Sequence, residues 1–153
     1  MGARRLPDRL AIVDFPAAAD PGLLPAPIPE ARPYEEGLAQ GRLRLQACSA
    51  CDRLRFPIAP VCPYCGGEEA EWRSLTGLGH VLAWVRYHRA YVPAFEPLVP
   101  YSVLTVGLDE GPRLFGRLAD QSSPRAGLRV RTIIERWPEG RHVPSFVGAE
   151  DTP

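Results

Sequence analysis

The stretch 48–67, CSACDRLRFPIAPVCPYCGG, holds all four cysteines of the 153-residue chain, as Cys48-x2-Cys51 and Cys62-x2-Cys65 with ten residues between the pairs. Two residues between ligands let a tight knuckle aim both sulfurs at one point. A second knuckle, carried over by a short hairpin, closes a tetrahedron. Gly66 and Gly67 follow the second knuckle, where the backbone must bend, and Pro57 and Pro60 shape the hairpin. Four soft, anionic thiolates suit Zn(II) at about 2.3 Å per bond, and iron in the same S4 geometry is the lesser alternative. Two disulfides would need an oxidising compartment, and a redox pair would not require a second pair at this spacing. With no coordination position left open, the expected metal is structural, held by Cys48, Cys51, Cys62 and Cys65. A ribbon this small buries little core, and metal binding substitutes for that burial.

The rest of the composition describes one domain of ordinary size. Apolar residues make up 45% of the chain, enough for one modest core, while 18 prolines and 14 glycines imply many turns and few long helices. Formal net charge is zero, so there is no general pull on a phosphate backbone and nucleic acid is disfavoured as a partner. All 18 basic residues are arginines, which excludes Schiff-base or lysine-base chemistry. The N-terminal MGARR is basic, but the apolar run LAIV stops at Asp14. A signal peptide needs roughly 7–15 apolar residues and a spanning helix roughly 20. The expected location is therefore the cytoplasm, with no membrane anchor, where thiols stay reduced.

Along the chain, residues 1–29 are rich in Pro and Ala without a sustained period and read as a poorly ordered arm. Residues 30–46 read as a short helical segment and a lead-in strand. Pro33, Glu35 and Glu36 suit a first helical turn, Gly41 suits the end, and RLRLQAC alternates into the first knuckle. Tyr34 and Leu38 lie four apart and share a face, which fits packing against their own domain better than contact with a partner. After the ribbon, at 47–70, residues 71–147 carry about five strands, with a tail at 148–153. These strands are marked by Trp72 and Leu75, by HVLAWVRYH, by YSVLTVGLDEG, by PRLFGRLAD and by LRVRTIIE. The count suits a small, bent OB-type barrel, with a small open sandwich as the alternative. Glycines 77, 79, 107 and 116 supply kinks. The segment RAYVPAFEPLVP interrupts the strands, and its Tyr91 and Phe95 either plug a barrel end or line a functional loop.

The order PYEEGLAQGRLRLQACSACDRLRFPIAPVCPYCG, GHVLAWVRYHRAYVPAF, VPYSVLTVGLDEGPRLFGRL, AGLRVR and VPSF resembles a family over residues 33 to about 147. It is that of the bacterial and archaeal zinc-ribbon/OB-fold proteins, often called acyl-CoA-associated. The resemblance implies a mainly β fold: a short N-terminal helical segment, a rubredoxin-like zinc ribbon and a C-terminal OB-fold barrel. It implies an accessory subunit of a CoA-thioester enzyme, thiolase-like (including a sterol-side-chain aldolase) or MaoC-like. Such a subunit forms a hetero-oligomer with the enzyme and helps house an acyl-CoA. It also makes the four cysteines the metal ligands and associates the segment of Tyr34 and Leu38 with partner docking.

No catalytic constellation is patterned. The histidines His80, His88 and His142 have no acid or nucleophile placed beside them, and there is no nucleophile elbow, Walker loop or dinucleotide fingerprint. Arg86, Arg89, Arg113 and Arg117 are candidates to meet CoA phosphates bidentately, with Tyr91 and Phe95 as neighbours, although each arginine singly also fits a solvated strand face. The competing function is a single-strand nucleic-acid module, which would need a basic groove and stacking aromatics. Zero net charge and 8% aromatics argue against it.

Overall fold

The structure, a computed structural model, describes residues 9–18, 22 and 25–150. Helix α1 (Arg32–Ala39) has Pro33 at its second position and Glu35 in its first turn, and follows a 3-10 turn at Pro29–Ala31. It turns its Tyr34 and Leu38 face inward. Strand β2 (Arg44–Cys48) then enters the ribbon, where it pairs antiparallel with β3 (Leu54–Arg55) and β4 (Ala70–Ser74) in a three-stranded sheet. The strand at Trp72 thus belongs to the ribbon, not to the barrel in which the sequence reading put it. The chain leaving the second knuckle runs straight back along β2, from Cys48 opposite Ala70 to Arg44 opposite Ser74.

The barrel is built from β5 (Leu78–Tyr87), β6 (Tyr101–Leu108), β7 (Arg113–Arg117), β8 (Arg129–Arg136) and β9 (His142–Gly148). β6 pairs with β5 and β7, and β8 pairs with β5 and β9. The circle closes where Leu118 bridges to Phe146 in parallel and the Ala119 N–H donates to the Phe146 carbonyl at 2.7 Å. The order β5-β6-β7-β9-β8-β5 is the five-stranded OB arrangement. Gly116 permits the closure: a Cβ there would stand 2.8 Å from both the Phe146 ring and the Pro144 carbonyl oxygen. The sequence reading identified no strand at β9, because Pro144 sits in its middle and its apolar residues do not alternate.

Alternation along β6 sends Ser102, Leu104 and Val106 inward, and along β8 it sends Val130, Thr132 and Ile134 inward. They meet Val81, Leu114, Leu118 and Phe146 in the main core. That core also takes Leu38, Leu43, Leu45 and Leu75, so the helix, the ribbon's lead-in strand and the barrel share one apolar interior. Burial at roughly 25 cal/mol per Å2 of apolar surface then couples the three parts into a single folding unit.

The N-terminal arm departs from its expectation. Residues Ile12–Asp14 form β1, parallel to Ile134–Arg136 of β8, continuing the sheet where β5 has diverged. Hydrogen bonds from the Phe15 N–H to the Arg136 carbonyl (2.9 Å) and from the Leu10 N–H to the Gly41 carbonyl (2.7 Å) pin its two ends. Phe15 is 6% exposed and packs with Phe95 and Trp137 in a second apolar cluster, with ring centroids 5.6 and 5.0 Å away. The reading of a poorly ordered arm fails for this stretch because backbone pairing and one aromatic anchor fix it, and three residues of strand carry no periodicity. Elsewhere in the arm, 16–18, 22 and 25–28 form no helix or strand, while residues 1–8, 19–21, 23 and 24 lie outside the described residues, as do 151–153 of the tail.

Candidate metal centre and ligand cleft

The two knuckles have the same construction. In the first, the Asp52 N–H donates to the Cys48 carbonyl (2.8 Å) and the Cys48 N–H to the Arg53 carbonyl (2.9 Å). In the second, the Gly66 N–H donates to the Cys62 carbonyl (2.9 Å) and the Cys62 N–H to the Gly67 carbonyl (2.8 Å). Each loop turns through a left-handed residue one place after its second cysteine, Asp52 at φ 61° and Gly66 at φ 79°. Glycine takes that conformation without penalty, and Asp is among the few side chains that tolerate it.

The result is a cage of sulfurs. Cys48 Sγ lies 3.6 Å from Cys65 Sγ, Cys51 Sγ lies 3.7 Å from Cys62 Sγ, and all four ligand atoms fall within 4.8 Å of one another. Four sulfurs at about 2.3 Å from a common centre stand about 3.8 Å apart, so the cage fits a tetrahedral metal. These separations are far beyond the roughly 2.05 Å of a disulfide, and all four cysteines are free. N–H groups of Cys51 and Ala50 aimed at Cys48 lower its thiol pKa. Burial opposes ionisation of Cys62, but the N–H groups of Tyr64 and Cys65, with the neighbouring thiols, outweigh it and bring it to about 6. The Gly67 N–H favours ionised Cys65, but the neighbouring thiols of Cys48 and Cys51, with burial, outweigh it and push Cys65 up to about 11. The first cysteine of each knuckle thus favours the thiolate that a metal requires.

Behind the cage stands Arg55, 2% exposed, which the sequence did not mark. Its guanidinium donates to Gln46 Oε1 (3.2 Å) and to the carbonyls of Gly67 (3.3 Å) and Glu68 (3.4 Å). Gln46 Oε1 also accepts from the Ala59 N–H at 3.0 Å, so this pair staples the hairpin between the knuckles. A buried arginine needs a counter-charge. The Gly67 backbone runs beside the cage, where an added Cβ would stand 3.3 and 3.4 Å from Cys48 and Cys65 Sγ, and a metal held by four thiolates with net charge −2 would supply that charge.

The six ligand candidates do not converge. Arg86 and Arg117 line one cleft of about 390 Å3, together with Tyr101, Ser102 and Gln121. Arg117 also pairs with the buried Glu135, whose other oxygen accepts from Ser145 Oγ at 2.9 Å, and its Nε is buried without a partner. Arg113 is exposed at the far end of β7, opposite Gly107, and Arg89 is exposed beyond β5; neither lines this cleft. Phe95 is buried in the second cluster, so it plugs the fold rather than facing a ligand, whereas Tyr91 is 77% exposed beside Tyr87. On α1, Leu38 is 1% exposed inside the main core and has no surface to offer a partner. Tyr34 is half-buried against Phe56, with ring centroids at 5.8 Å, and burial together with Glu35 pushes its phenol pKa up. Within the described residues, no helix is long and apolar enough to cross a membrane.

Comparison with known proteins agrees with this geometry. Residues 36–71 match the ChsH2 rubredoxin-like zinc ribbon domain, and residues 72–134 match the ChsH2 C-terminal OB-fold domain. The chain belongs to the ChsH2-type DUF35 family. A solved DUF35 relative, the "Ltp2-ChsH2(DUF35) aldolase", is 31% identical with a TM-score of 0.73, over 82% of this chain and 98% of that one. A "DUF35 domain-containing scaffold protein" of Pyrococcus furiosus is 37% identical over 54% of this chain and 62% of its own length. One from Methanocaldococcus jannaschii is 30% identical over 60% of this chain and 67% of its own. A "Probable enoyl-CoA hydratase alpha subunit" of Thermomonospora curvata is 35% identical over 68% of this chain, which spans only 32% of that protein's length.

Proposed function

We propose that this DUF35 protein is a non-catalytic accessory subunit of an acyl-CoA-processing enzyme. The partner is thiolase-like, an aldolase of that type, or a MaoC-like hydratase, bound as a cytoplasmic hetero-oligomer. The observation that carries the reading is the match, over 98% of its length, to the ChsH2(DUF35) chain of a solved aldolase. The scaffold names of the archaeal relatives and the hydratase-subunit name of the Thermomonospora relative point the same way. The ribbon's part is mechanical: Zn(II) in the four-cysteine cage fixes the knuckles, and the shared core holds helix and barrel in one relation, as a docking platform requires.

Arg86 and Arg117 are the pair suited to the phosphates of an acyl-CoA, because they alone of the four arginines share the cleft. Tyr34 is the residue of α1 left to meet a partner. The single-strand nucleic-acid alternative finds exposed aromatics here, Trp84 and Phe115 among them, but lacks the basic balance such binding uses. Purification of the tagged chain from its own host tests the proposal. A stoichiometric CoA-thioester enzyme supports it; nucleic acid, or no partner at all, overturns it.

A further inference from the structure

β5 carries an open edge. Its first residues, Leu78–His80, pair with β8, and Val81 exchanges main-chain hydrogen bonds with Gly127 and Leu128. After a register shift between Val81 and Ala83, β5 runs on to Tyr87 beside β6 alone. Among the described residues, nothing pairs with the other side of 82–87. The groups that face outward follow from register. The Ser102 carbonyl accepts from the Leu118 N–H on the β7 side, so Arg86, opposite Ser102, sits in a non-hydrogen-bonded pair. The N–H and C=O of Arg86 therefore point away from β6, and those of Trp84, opposite Leu104, do the same.

Proteins usually blunt such an edge with proline, charge or a covering segment. Here 82–87 contains no proline and one charge, Arg86, whose side chain lines the cleft, and Leu82, Trp84 and Val85 are 39, 42 and 53% exposed. The adjoining sheet face is apolar: Val85 lies opposite Val103, and Thr105 opposite Phe115, which is 64% exposed. Just beyond the strand, His88 and Arg89 are exposed and have no acidic partner among the described residues.

We propose that the free edge of β5 at Trp84–Arg86 receives an extended strand of the partner enzyme, apolar toward Val85 and Phe115 and acidic toward His88 and Arg89. Main-chain pairing supplies the affinity in such strand addition, and the side chains beside it supply the selectivity. This rests on the accessory-subunit reading and adds the surface through which it operates.

The probe is the CoA-enzyme subunit that co-purifies with the wild-type chain, prepared separately and recombined with it. Amide hydrogen exchange at Trp84 and Arg86 is expected to slow at least tenfold on complex formation, whereas Ala83 and Val85, already bonded to β6, change little. Trp84→Pro removes an outward N–H together with a half-exposed indole but no hydrogen bond to β6, so it should weaken the complex at least tenfold, and Trp84→Val, which keeps the N–H, serves as the control for the lost ring. Arg89→Glu should weaken it more at low salt than at high salt. If Trp84→Pro does not fold, exchange in the wild-type complex still decides. Unchanged exchange at Trp84 and Arg86 in a formed complex, or full binding by Trp84→Pro, overturns the strand proposal and leaves the accessory reading standing. Protection of the edge in a self-associated dimer of this chain, or by an oligonucleotide, overturns it too. Failure of the wild-type chain to hold any CoA enzyme removes both.

Discussion

Phe15→Ala tests whether the N-terminal strand is part of the fold. The ring is 6% exposed and lies 5.0 Å from Trp137 and 5.6 Å from Phe95, centroid to centroid. Truncating a fully buried phenylalanine costs about 3–5 kcal/mol, transfer and cavity terms together. The second cluster holds three buried rings under a half-exposed rim, so it can partly collapse, and the low end, about 3 kcal/mol, is expected. For a chain of this size that corresponds to a melting decrease of about 6–12 °C. The loss should also be local first. The Phe15 N–H bonds Arg136 and the Ile134 N–H bonds the Ala11 carbonyl, so both amides should exchange faster in the variant. Differential scanning calorimetry and amide exchange read the two effects. A melting temperature within 1–2 °C of wild type, with Ile134 protection intact, would refute the argument that β1 is held by its aromatic anchor (a shift that small is under about 1 kcal/mol).

Cys62→Ser removes one ligand of the cage; metal content by mass spectrometry should fall and melting should drop with it, while unchanged values would remove the structural-metal account. Gly116→Val forces a side chain into the β7–β9 closure, where even a Cβ meets Phe146 and Pro144 at 2.8 Å, and should shift the urea midpoint by the equivalent of at least about 1–3 kcal/mol. Glu135→Leu leaves Arg117 without its buried counter-charge and should cost about 3 kcal/mol in denaturant unfolding, most of it recovered by adding Arg117→Met. Asp52→Asn keeps a side chain that tolerates the left-handed φ of 61° and breaks only the exposed ion pair with Arg73, so urea unfolding should show a loss of less than about 1 kcal/mol.

What the sequence made legible followed from short-range rules. The cysteine spacing announced the cage because knuckle geometry depends on a few adjacent residues, and the alternation of apolar and polar side chains revealed β2, β6 and β8, although the fold buries both faces of β2 and part of both faces of β8. The missed elements depend on contacts distant in the chain. β1 is a strand only because β5 leaves β8 an unfilled edge at Ile134–Arg136. β9 closes the barrel in spite of its proline, and β4 was assigned to the wrong sheet because pairing partners cannot be read from one strand. Arg55 and Gln46 went unmarked, since nothing local says that Arg55 turns inward behind the cage. The four arginines were grouped only because all lie on or beside barrel strands. Register, visible only in the folded chain, separates Arg86 and Arg117 from Arg113 and Arg89.

The central claim is that this chain supports acyl-CoA chemistry performed by another subunit. The direct measurement is acyl-CoA turnover by three preparations at equal concentration: the chain alone, the co-purifying enzyme subunit alone, and the two together. The account predicts no turnover by the chain and a higher rate for the pair than for the enzyme subunit alone. Turnover by the purified chain itself, or a rate indifferent to its addition, would contradict it.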